Sequence, residues 1–102
     1  MGRNSKDNSY ARFEGLIKIS MCYKNYLRHA RLDLFKKQFV KNVDDTLDSL
    51  KKEHRRIIVK EFFNNKNIYW WTKYYSKSTF YRKRFFAIKS FMEIYSQWEQ
   101  SL

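Results

Sequence analysis

Lys77, Ser78 and Arg82 stand close together at the start of a stretch that reads YYSKSTFYRKRFFAIKSF from Tyr74 to Phe91. Two long cations and a hydroxyl at that spacing are the residue types that read nucleic acid. Arg pairs in bidentate fashion with guanine, and Lys and Ser bond base edges or backbone oxygens. With Lys73 counted, the stretch holds six bases (Lys73, Lys77, Arg82, Lys83, Arg84 and Lys89) interleaved with seven aromatics and no acid. From Phe62 to Met92 there is no Asp or Glu, against seven Lys or Arg. A surface of one sign attracts polyanions and releases their counterions on binding. The competing account is a core helix whose bases serve only to keep it solvated.

Other chemistry is poorly represented. Cys22 is the single cysteine, so neither an intramolecular disulfide nor a thiolate metal cage can form. On an apolar helical stripe, Cys22 reads as a small core residue rather than a nucleophile. His29 and His54 are far apart and lack a nearby cluster of Cys or carboxylates, so no metal site is expected; His54 adjoins Arg55 and Arg56 as part of a basic patch. Asp44, Asp45 and Asp48 suggest a metal site or an acid pair, yet helix capping and the helix dipole explain them more simply. Tyr69, Trp70 and Trp71 suggest a stacking platform for single-stranded bases. Consecutive helical residues point in different directions, so core packing is the better account of them. There is no glycine-rich phosphate loop, catalytic acid pair or triad. No enzymatic activity and no cofactor are expected.

These side chains need elements to hold them. The chain has 102 residues, enough for one domain with a modest core, and a formal net charge of +12. The charge is uneven: residues 1–50 carry ten bases and six acids, and residues 51–102 carry twelve and four. There is no proline, and only Gly2 and Gly15 are glycine, so tight hairpin turns have no sequence support and an all-α fold is expected. The N-terminus has no signal-peptide pattern and no apolar run approaches ~20 residues, which predicts a cytoplasmic setting and no membrane partner.

Residues 1–8 read as a flexible start, with Asn8 or Ser9 capping a helix to about Arg28; its apolar side would carry Phe13, Leu16, Ile17, Cys22, Tyr23, Tyr26 and Leu27. Asp33 would cap a second helix with Leu34, Phe35, Phe39 and Val40, and residues 9–43 form an N-terminal helical segment. Asp44 or Asp45 offers a further start for Thr46–Leu50, and EHRRIIVKEFF continues helically from Glu53. Asn64 to Asn67 is a loop. A short helix over Ile68–Tyr74 and a long one capped by Ser76 and ending near Trp98 complete a bundle of about four to five helices.

A short helix, a turn and a long capped helix form the helix-turn-helix outline over residues 44–98. The residues add to it. Leu47, Leu50, Arg56, Ile57, Ile58 and Phe63, followed by Tyr75-Ser76, Thr79, Phe80-Tyr81-Arg82, Arg84, Ala87 and Phe91, resemble the C-terminal region of sigma-like regulators, and in particular the ArpU family of phage late-transcription regulators. The resemblance spans roughly residues 44–95. It implies a sigma-like, DNA-binding helix-turn-helix and a role in transcription regulation. The chain departs from the family pattern at Tyr74, where Gly is common, at Lys73, where a hydrophobic residue is usual, and at Phe85-Phe86, where Lys or Arg is favoured.

Projected at about 100° per residue from Ser78, the last helix shows three sides. Phe80, Ala87, Phe91, Ile94 and Trp98 form a core stripe. Tyr81, Phe85, Ile88, Met92 and Tyr95 form a second apolar stripe that must be covered by residues 9–43 or by a second copy of the chain, since each large side chain is worth ~1.5–3 kcal/mol when buried. Ser78, Arg82, Lys89 and Glu93 are the polar arc.

The leading expectation is a protein that reads duplex DNA, with Lys77, Ser78 and Arg82 on the bases and Lys73, Lys83, Arg84 and Lys89 on phosphates. Arg84, close to the core stripe, would snorkel. The alternative is a helical protein–protein interaction module, such as a homodimer or an RNA polymerase-associated factor, with a degenerate helix-turn-helix. RNA binding through the basic face is the third option.

Overall fold

The computed structural model describes residues 2–31 and 33–100, with side chains described for residues 9–31 and 33–98. It is all-α, with four α-helices and no strand among the described residues: α1 (Gly2–Leu27), α2 (Leu34–Ser49), α3 (Lys52–Ile58) and α4 (Lys77–Gln100). α3 runs on into a π-helical turn, Val59–Phe63, and a 3-10 turn, Trp70–Lys73, precedes α4. No described helix is long and apolar enough to cross a membrane.

α1 begins at Gly2, earlier than the expected start at Asn8 or Ser9. No breaker lies between Arg3 and Asn8, so nothing interrupts propagation toward the N-terminus. The start of α2 follows the sequence closely, because Asp33 Oδ1 accepts from the backbone N–H groups of Phe35 (2.9 Å) and Lys36 (3.2 Å). The expected new start at Asp44 or Asp45 does not occur. α2 passes through both residues and is stitched by i,i+4 bonds: Gln38 to Asn42, Lys41 to Asp45, and the Thr46 hydroxyl to the Asn42 carbonyl. Val40, Val43, Thr46 and Leu47 bury one side of it. Asp44 caps nothing and instead accepts a hydrogen bond from the Tyr23 hydroxyl (2.8 Å). The break comes at Leu50, whose extended backbone (φ −78, ψ 154) turns the chain into α3.

The π turn has a packing cause. A wider turn lets two successive aromatics reach apolar partners. Phe62 meets Phe13 edge-on at 5.7 Å, while Phe63 meets Tyr23 at 5.3 Å and Phe91 at 6.3 Å. The expected helix over Ile68–Tyr74 is only the 3-10 turn Trp70–Lys73, introduced by Asn67, whose Oδ1 accepts from Tyr69 N at 2.9 Å. Two large rings leave little room for another geometry. Trp71 stacks flat on Phe80 (4.6 Å, 6°) and Trp70 meets the same ring edge-on (5.7 Å, 87°). Trp70 is thus core, while Tyr69 is exposed. At Tyr74 the backbone is right-handed (φ −115), and no described residue has a positive φ, so this turn is made without the left-handed residue that a Gly would supply.

α4 packs against α1, α2 and α3. Of its expected core stripe, Phe80, Ala87 and Phe91 are almost fully buried beside Leu16, Val43, Ile57 and Ile58, while Ile94 and Trp98 farther along are half-buried. α1 covers part of the second stripe. A side chain on Gly15 would come within 3.1 Å of the Met92 methyl, so α1 and α4 approach closely there. Ile88 and Tyr95 are buried and Met92 is half-buried, but Tyr81 and Phe85 keep 43% and 41% of their surface.

Candidate nucleic-acid interface

α4 starts after Ser76. The Ser76 hydroxyl donates to Thr79 Oγ1 (2.9 Å), its carbonyl accepts from Phe80 N (2.9 Å), and its side-chain oxygen lies 3.4 Å from Thr79 N, a long capping contact. Lys77, Ser78 and Arg82 follow in the first turns and are all exposed, with Arg82 about 40° to one side of Ser78 and Lys77 about 100° to the other. Lys73 is exposed just before the helix and Lys89 is half-buried farther along it. None of Lys73, Lys77, Arg82 and Lys89 has an ion pair or hydrogen bond from its side chain among the described residues.

Lys83 and Arg84 have different surroundings. Lys83 Nζ lies 3.1 Å from Glu53 Oε1, and the other oxygen of Glu53 accepts from the Tyr75 hydroxyl at 2.8 Å. Arg56 Nη2 in turn donates to Tyr75 Oη at 2.9 Å. The hydrogen bond from Tyr75, followed by that from Lys83, holds the Glu53 carboxyl below its ordinary range, so Glu53 is ionised at neutral pH. Arg84 Nη1 lies 3.2 Å from Glu61 Oε2, and Trp70 Nε1 donates to Glu61 Oε1 at 2.9 Å. The Arg84 guanidinium also lies over Tyr81 (4.9 Å) and Phe13 (5.2 Å). The two cations therefore tie α4 to α3, the π turn and the 3-10 turn.

Glu53 and Glu61 were not among the residues that the sequence singled out, though a signal existed. They are the last two acids before the acid-free run, and the bases nearest the core stripe of α4 are Lys83 and Arg84. A second omission is a groove of about 480 Å³ between the start of α3 and the middle of α4, lined by Lys51, Glu53, His54, Arg82, Lys83, Phe86 and Ser90. Burial, then the nearby charges of Lys51 and Lys83, hold the His54 imidazole below its ordinary range, against the opposing pull of Glu53. The groove adjoins the polar arc that carries Ser78 and Arg82.

On the other side of α4, Tyr81 and Phe85 border a second groove of about 380 Å³, closed by Ser9, Tyr10, Arg12 and Phe13 of α1. Phe86 is 49% exposed and stands edge-on to Phe85 at 5.2 Å. Among the described residues no group of three or more His, Cys, Asp or Glu could hold a metal ion. No protein-family model, curated protein or solved structure matches this chain.

Proposed function

We propose that this chain is a sigma-like helix-turn-helix protein that binds duplex DNA and acts in transcription regulation, as its resemblance to the ArpU family implies. The observation that carries the proposal is the division of the bases on α4. Lys77, Ser78 and Arg82 are exposed and uncommitted, Ser78 and Arg82 on one side and Lys77 about 100° round from Ser78, whereas Lys83 and Arg84 are engaged by carboxylates. Uncommitted cations gathered at the start of a long helix suit major-groove reading. Lys73 and Lys89 suit phosphate anchoring. Lys83 and Arg84 act chiefly by fixing how α4 is presented.

Titration of a labelled duplex across a salt series tests this. Affinity should fall steeply with salt. Arg82→Ala should weaken binding by ~1–3 kcal/mol and leave the melting temperature nearly unchanged, because Arg82 supports no internal contact. Absence of duplex binding at low salt would overturn the proposal. An RNA duplex or single strand that competes better than DNA would move the assignment to RNA.

A second reading, a homodimer or other protein-interaction module, draws on the exposed Tyr81, Phe85 and Phe86. It predicts self-association that Phe85→Glu abolishes in sedimentation. A monomer before and after the substitution excludes the homodimer.

A further inference from the structure

Resting on the duplex-binding reading, we infer that the groove between the start of α3 and the middle of α4 is a phosphodiester subsite in which His54 takes up a proton when the phosphate binds. The groove is built from two elements: Lys51, Glu53 and His54 come from the start of the α3 segment, and Arg82, Lys83, Phe86 and Ser90 from α4. Its charged groups are three cations and one carboxylate. Glu53 is already engaged by Lys83 and Tyr75, which leaves Lys51 to hold an anion, with the charge of Arg82, at the rim shared with the base-reading arc, adding to the attraction. Ser90 adds a hydroxyl donor, and Phe86 supplies an apolar wall that lowers the local dielectric.

The location suits a backbone phosphate. At about 100° per residue, Arg82 lies about 40° and Ser90 about 120° round from Ser78, so the groove runs directly beside the base-reading arc. A strand whose bases face Ser78 would pass its backbone over the flank of α4 that carries Arg82 and Ser90. The groups facing His54 are Lys51 and Glu53 from its own segment and Arg82 and Lys83 from α4. Without an anion, partial burial and then this net positive setting oppose the imidazolium. A phosphate in the groove reverses the sign of the nearest charge, and the imidazolium then becomes a third donor cation. Binding and protonation are therefore linked. Affinity for duplex is level at alkaline pH, rises as pH falls through the bound-state pKa of His54, and levels again below the free-state pKa.

Two measurements on the full chain test the inference. The first is duplex affinity at constant ionic strength between about pH 7.5 and about pH 5.5. Wild type should gain roughly three- to tenfold more than His54→Gln over that interval. The second is the NMR titration of the His54 imidazole with and without inorganic phosphate, and with duplex. Its midpoint should rise with either. Because a substitution at half-buried His54 can disturb the fold, Lys51→Ala provides the second variant, and it should reduce the phosphate-induced rise. If duplex binds with steep salt dependence but the His54 midpoint does not move, the subsite is refuted and duplex binding stands. If phosphate raises the midpoint and no duplex binds, the subsite stands and the duplex reading falls. If neither anion moves the midpoint and no duplex binds, both are refuted.

Discussion

Of the two carboxylates that hold α4, Glu61 is the more buried, its side chain 11% exposed against 42% for Glu53. It accepts from Trp70 Nε1 at 2.9 Å and pairs with Arg84 at 3.2 Å, so it links the π turn, the 3-10 turn and α4 at one point. Glu61→Ala strands the indole N–H of a residue only 8% exposed. An unsatisfied buried donor costs ~1–3 kcal/mol. The Arg84 and Glu61 side chains are 26% and 11% exposed, between the surface and buried regimes. Loss of that pair therefore adds ~1–2 kcal/mol, below the ~3–5 kcal/mol of a fully buried pair. The expected destabilisation is ~2–5 kcal/mol, a large share of the ~5–15 kcal/mol typical of a domain. A fall in melting temperature of at least ~8 °C follows for a domain of this size. Glu61→Gln keeps an acceptor for Trp70 and should lose only ~1–2 kcal/mol. Urea unfolding followed by tryptophan fluorescence and circular dichroism measures both variants. A cycle with Arg84→Ala should give a coupling of ~1 kcal/mol or more. Glu61→Ala within ~0.5 kcal/mol of wild type, or Glu61→Gln as damaging as Glu61→Ala, would show that this junction is not organised by the carboxylate.

Asp33→Ala removes the side-chain acceptor for Phe35 N and Lys36 N and should cost ~1 kcal/mol in chemical denaturation, with Asp33→Asn recovering most of it. Gly15→Ala places a methyl group against the mobile end of Met92, which can turn aside, so the gain in helix propensity should prevail and raise stability by up to ~1 kcal/mol; a lower melting temperature would show that α1 and α4 cannot give at that point. Burial, then the hydrogen bond to Asp44 and its charge, raise the Tyr23 hydroxyl from 10.0 to about 12. A folded-state pKa raised in this way contributes stability that is complete below pH 10 and is lost as pH rises toward about 12. Tyr23→Phe should flatten that alkaline loss relative to wild type in melts across the same window.

The all-α class and the Asp33 cap were legible because both are local: a chain without proline and nearly without glycine, and an Asp immediately before an apolar periodic run. The loop at Asn64 to Asn67 is likewise marked by its own amides. Asp44 and Asp45 misled because an Asp at a helix start and an Asp inside a helix look alike until the i,i+4 partners are weighed. Lys41 and the hydroxyl of Tyr23, an α1 residue, settle the matter, and the second lies in another element. The π turn was not legible because its cause is tertiary: Phe13, Tyr23 and Phe91 receive Phe62 and Phe63 from three places in the chain. The 3-10 turn likewise depends on Phe80, ten residues beyond Trp70, to hold both indoles. The candidate site was legible as a set of residue types and illegible as a division of labour. Which bases are committed is decided by Glu53 and Glu61, which are 30 and 23 residues away from Lys83 and Arg84.

That division follows from the geometry of one helix. At about 100° per residue, the core stripe of α4 occupies about 160–220° from Ser78, and Lys83 and Arg84 fall at about 140° and 240°, one on each flank. A cation at the edge of a buried stripe lies over the neighbouring elements, where a carboxylate can bind it and its stem can cover apolar surface. Glu53 and Glu61 supply those carboxylates, one at each flank, and so fix the rotation of α4 about its own axis. α1 closes the lower part of the second stripe through Gly15 and Met92 and leaves Tyr81 and Phe85 at an open groove. With the core stripe, both flanks and much of the second stripe committed, Ser78, Arg82 and Lys89 remain on the arc that α4 can offer to a partner. If Lys83 and Arg84 were free, the basic surface would extend round the helix and attract anions without orienting them. Their capture narrows it to one face with a defined direction, which base reading requires and non-specific attraction does not.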